Sequence, residues 1–84
     1  MNEEIDALYP ANMSLHALAE ACRANDIRIG EPTLGRHILA GNLPFARGVP
    51  GGDGTNTGYL ISRHGAYLWI ADFTGQEPIR VTIA

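Results

Sequence analysis

The chain has 84 residues, a net charge of −3 and one cysteine, and every fixed cation in it is an arginine. So short a chain holds one small domain, burying only about 60% of the surface its unfolded form exposes, which implies modest stability. Apolar residues at 45% and charged residues at 18% exclude intrinsic disorder, and a lone Cys22 excludes an internal disulfide or a zinc site built on paired cysteines.

In chain order, residues 1–12 form an acidic arm, with one helical turn expected near residues 3–8. Its first residues, Met1-Asn2-Glu3-Glu4, are acidic where a secretory signal would be basic, and no apolar stretch reaches the roughly 20 residues a membrane span needs. A cytoplasmic protein without a membrane partner is therefore expected. Ser14 offers its hydroxyl as an N-cap, and Leu15, Leu18, Ala19 and Cys22 recur at the spacing of one buried helical stripe. Asn25-Asp26 ends that helix. Glu31-Pro32 opens a second, with proline preset for a first turn. Leu34, Ile38 and Leu39 make its apolar side, and Gly41 is placed to stop it in a left-handed conformation.

Residues 43–47 read as a strand and residues 59–62 as its partner. Between them lies Gly48-Val49-Pro50-Gly51-Gly52-Asp53-Gly54-Thr55-Asn56-Thr57-Gly58, with five glycines in eleven residues, as the hairpin tip. Ser62 caps a third helix whose stripe is Ala66, Trp69, Ile70 and Phe73, and Gly75 ends it. Ile79, Val81 and Ile83 alternate with polar neighbours, the pattern of a terminal strand that either closes the domain's own sheet or pairs between chains. The expected fold is α+β, a small winged helix-turn-helix at residues 13–75, preceded by the arm and followed by an extended segment at 76–84.

Charge is unevenly distributed. Residues 1–27 carry −4, from Glu3, Glu4, Asp6, Glu20 and Asp26 against Arg23. Residues 28–64 carry +2, from Arg28, Arg36, Arg47 and Arg63 against Glu31 and Asp53. A helix lying in a DNA major groove needs an apolar back and a few polar residues on its other side. Leu34 and Ile38 supply the first; Thr33, Arg36 and His37 supply the second. Arg36 is the type suited to guanine edges or phosphates, because its planar fork makes two parallel bonds. Arg28, Arg47 and Arg63 suit phosphates, which fix register without reading sequence.

Catalytic and metal constellations do not emerge. His16, His37 and His64 fall on three elements, and Cys22 lies on an apolar stripe. The glycine run lacks the Gly-Lys-Ser/Thr ending of a phosphate loop. Read from Asp53 as a calcium loop, it has threonine at its third and fifth positions and His64 where a bidentate glutamate is required. Neither enzyme activity nor a cofactor or metal is expected.

The run Thr33-Leu34, Arg36-His37-Ile38, Gly41-Asn42-Leu43-Pro44 resembles the second helix and exit turn of the excisionase and MerR-like winged helix domains. Ser14-Leu15-His16-Ala17-Leu18-Ala19 resembles their first helix, and Tyr59-Leu60-Ile61-Ser62 with Trp69 resembles their second wing strand and closing helix. Three features depart from the pattern: His37 where an aromatic is common, a longer linker at 24–30, and a wing loop whose only charge is Asp53. The resemblance implies sequence-specific binding of double-stranded DNA in a prophage or mobile element. The protein would steer recombination beside an integrase or other protein partner, or act as a small transcriptional regulator. A module this size buries about 600–1,000 Å² on DNA, so strong specificity would require a homodimer or cooperative assembly. The rival expectation is a non-catalytic protein–protein interaction module on the same scaffold.

Overall fold

The computed structural model describes residues 11–50, 57–76 and 79. In chain order they form α1 (Leu15–Ala24), α2 (Glu31–Leu39), β1 (Ala46–Pro50), β2 (Thr57–Ile61) and α3 (Arg63–Thr74). The result is a small α+β unit of three helices and one two-stranded antiparallel sheet, an order compatible with a winged-helix layout. The acidic arm up to residue 10, the glycine tip at 51–56 and all but Ile79 of the alternating tail segment lie outside the described residues.

The helix boundaries follow local chemistry. The Ser14 hydroxyl accepts from the Ala17 amide at 3.0 Å, and the Ser62 hydroxyl accepts from the Gly65 amide at 3.0 Å. Each hydroxyl satisfies an amide that has no partner inside its helix. Gly41 and Gly75 follow the ends of α2 and α3 at φ +78° and +71°, where a Cβ would be strained. At the end of α1, Asp26 itself takes φ +64°, and the Ile27 amide returns to the Cys22 carbonyl at 2.8 Å. The buried Asn25 donates its side-chain amide to the Ala21 carbonyl at 2.8 Å. Among the described residues, no buried side-chain polar atom is left without a partner.

Leu18, Ala19 and Cys22 from α1, Leu34 and Ile38 from α2, Ile61 from β2 and Ala66 and Ile70 from α3 converge in one core. Met13, Ala21 and Leu43 complete it. Burial pushes the Cys22 thiol up to about 11, so at neutral pH it is a small apolar side chain rather than a nucleophile.

Three expectations are corrected. The first strand begins at Ala46, not Leu43, and runs through Gly48 to Pro50; its partner begins at Thr57 rather than Tyr59. Register decides this: Ala46 pairs with Ile61 and Gly48 with Tyr59, so a two-stranded ribbon takes in glycine and proline that a central strand would exclude. Leu43 instead accepts from the Ala46 amide at 3.2 Å in the turn before β1.

Leu39 is 58% exposed. It lies about 100° round the helix from Ile38 and lines an open depression; the buried stripe is completed by Gly35 instead. Phe73 is 64% exposed, while Ala66, Ile70 and Ala71 turn the buried side of α3 to the core.

Candidate nucleic-acid interface

Leu34, Gly35 and Ile38 turn one side of α2 into the core. At about 100° per residue, Thr33, Arg36 and Ala40 then fall on the opposite side, with His37 on one flank and Leu39 on the other. Arg36, His37, Leu39 and Ala40 are exposed, and Thr33 is half-buried. Two contacts hold this helix in place. Its buried side packs on α1 and β1. The Tyr59 hydroxyl of β2 rests over Gly35 so closely that a Cβ there would lie 2.9 Å from it. A glycine inside a helical pattern is the sequence signal for such an approach.

At the start of α2, Glu31 accepts a 3.0 Å bond from His16 of α1. That bond, and then the charge of Glu31, hold the His16 imidazole above its ordinary value of 6.5. The pair ties the first turn of α2 to α1.

The Arg36 guanidinium donates to the Thr33 hydroxyl at 3.3 Å, one helical turn back. This long bond uses one of five donors, so the fork stays available for a bidentate acceptor. The Asn42 side-chain amide donates to His37 Nδ1 at 3.1 Å, and the Asn42 backbone amide donates to the His37 carbonyl at 2.9 Å. With Nδ1 accepting, a neutral His37 carries its proton on Nε2 and presents a donor. Asn42 is thus a partner of a candidate side chain that sequence reasoning passed over; its proximity follows from the left-handed turn at Gly41.

The phosphate candidates are spread around α2 rather than gathered. Arg28 stands exposed in the α1–α2 linker, where it shares a shallow depression with Arg23 and Asp26. Arg47 lies within β1, opposite Leu60, and lines an open groove with Leu39, Leu43 and Pro44 between the end of α2 and the ribbon. Arg63 is the first residue of α3 and donates to the Asn12 carbonyl at 3.4 Å. No carboxylate pairs with Arg28, Arg36, Arg47 or Arg63 among the described residues, whereas Arg23 is tied to Glu20 at 2.8 Å.

No group of three or more His, Cys, Asp or Glu side chains able to hold a metal ion occurs among the described residues. No described helix is long and apolar enough to cross a membrane. Comparison with known proteins finds no matching family model, no matching curated protein and no matching solved structure.

Proposed function

We propose that this chain binds double-stranded DNA, with α2 in the major groove and the β1–β2 ribbon acting as a wing. The observation that carries the reading is the outer side of α2. Thr33 and Arg36 stand there, with His37 on its flank, on a short helix backed by α1, and no carboxylate pairs with the Arg36 fork among the described residues. Thr33, Arg36 and His37 read base edges; Arg28, Arg47 and Arg63 contact phosphates and set the helix in register. No covalent chemistry is involved, and no enzyme activity is proposed. The biological role suggested by the resemblance is that of an excisionase-like architectural factor or small regulator of a mobile element. Such a factor would work as a homodimer or cooperatively, beside an integrase or another protein. A second reading, a protein-interaction module, draws its support from Leu68 and Phe73, apolar side chains 53% and 64% exposed on α3.

Titration against random and site-selected duplex over a range of salt distinguishes the two. Two or three phosphate contacts give a slope of about −2 to −3 for log affinity against log salt. Arg36→Ala should cost about 1–3 kcal/mol on the preferred site and relax one base position. A flat salt response with no binding at about 50 mM salt would leave only the protein-interaction reading.

A further inference from the structure

The chain leaves α2 through two backbone bonds that decide which side chains meet. Around the left-handed Gly41, the Gly41 amide donates to the Ile38 carbonyl at 3.0 Å and the Asn42 amide to the His37 carbonyl at 2.9 Å. This closure folds residue 42 back over residue 37, positions where apolar side chains frequently meet. Here both are polar and exposed, and the Asn42 side-chain amide donates to His37 Nδ1 at 3.1 Å.

An exposed bond of this kind adds little to stability, because water competes for both groups. Its effect on the imidazole is more specific. A neutral imidazole holds one proton, and a donor at Nδ1 leaves that proton on Nε2. An isolated imidazole favours the same form, so the ring and the amide agree. Reversing them requires the less favoured form of the ring together with a turned amide. No described residue bonds to Nε2, which therefore stands as a donor beside Arg36, whose side chain has donors only.

Base edges in the major groove differ in this respect. Guanine presents two acceptors, adenine and thymine one each, and cytosine a donor alone. Resting on the DNA reading above, we infer that Asn42 is a positioning residue that holds His37 as an Nε2–H donor, so that α2 takes guanine and refuses cytosine at the base pair His37 faces. To accept from cytosine, His37 must move its proton to Nδ1 and lose the Asn42 bond as it stands. Without Asn42 that penalty shrinks, and the ring turns more freely.

The test has one arm without DNA and one with it. Imidazole ¹⁵N shifts of His37 are recorded with the ring neutral, in wild type and in Asn42→Ala. The substitution is at an exposed position and keeps the backbone amide that closes the helix. Wild type should show Nε2 protonated, and Asn42→Ala should move the Nδ1 resonance. A proton on Nδ1, or an Nδ1 resonance indifferent to the substitution, overturns the inference. For the second arm, wild type selects duplexes from a randomised pool. His37→Ala then identifies the base pair at which discrimination is lost. Guanine should be preferred there and cytosine bound worst, and Asn42→Ala should reduce the guanine-to-cytosine ratio about three- to tenfold. An undiminished ratio in Asn42→Ala overturns this inference alone, with the DNA reading intact. So does a uniform loss in His37→Ala across all duplexes, which makes His37 a phosphate contact. If wild type retains no duplex, the DNA reading falls and the base preference falls with it.

Discussion

Single side chains set both the chemistry and the pH response of this surface. Arg36 and His37 sit in the last turn of α2 and Glu31 in its first, an order that complements the helix dipole as well as exposing the cations. The His16–Glu31 pair has a defined pH signature. Because the folded imidazole is held above 6.5, the pair supports the fold fully below that value, and the support is lost as pH rises through the raised value. An NMR titration should place the His16 midpoint above 6.5, and Glu31→Gln should bring it back towards 6.5. A midpoint indifferent to Glu31→Gln would mean that the two helices are not joined there. The residue identities behind the candidate surface, Thr33, Arg36 and His37, are legible from spacing alone. Asn42 is not, because its bond to His37 exists only once Gly41 has turned the chain back.

Among the elements, α3 shows most directly how a helix is fitted to its neighbour. Its cap at Ser62 and its stop at Gly75 are readable from the sequence, since both act through bonds within a few residues. The role of Gly65 is not readable. A Cβ there would lie 2.6 Å from the Phe45 Cβ and 3.2 Å from the capping Ser62 hydroxyl. The Phe45 atom is held to its backbone and has little freedom to retreat. Gly65→Ala should therefore destabilise the protein by about 1–3 kcal/mol in denaturant unfolding, although alanine is the better helix former by up to about 1 kcal/mol. A variant as stable as wild type would show that α3 does not approach Phe45 so closely. The ribbon carries the same lesson. Its strands begin and end where cross-strand pairs place them, while turn propensity alone assigns Gly48 and Pro50 to the loop.

On the scale of the whole molecule, a few wholly buried side chains make the core, and Phe45 and Trp69 pack half-buried against it. Phe45, Trp69 and Phe73 follow one another at ring-centroid spacings of 5.6 Å, but the row ends in solvent at Phe73. Ile70→Ala should cost about 2–5 kcal/mol, a large share of the stability available to so small a domain. Phe73→Ala should cost less than about 1 kcal/mol. Thermal melts of the two variants check the contrast, and equal losses would place Phe73 in the core. The same accounting separates the apolar residues the sequence groups together: Leu34, Ile38 and Ile70 are buried, and Leu39 and Phe73 are not.

By itself, the sequence determined whatever depends on near neighbours. That includes the three helices, with the serine caps of α1 and α3 and the glycine stops of α2 and α3, the presence of a hairpin around the glycine-rich run, the burial of Cys22 and the polar residues on the exposed side of α2. These follow from bonds and periodicities a few residues long, which act before the chain is compact. Only the tertiary structure decided strand register, the exposure of Leu39 and Phe73, the seating of Tyr59 on Gly35 and of Phe45 on Gly65, and the anchoring of Asn12 and Met13 to β2. Each of these joins residues distant in sequence, and a period of two or 3.6 says which residues share a face, not what arrives to cover it. For the charge, the total of −3 conceals four exposed arginines, Arg28, Arg36, Arg47 and Arg63, that pair with no carboxylate among the described residues.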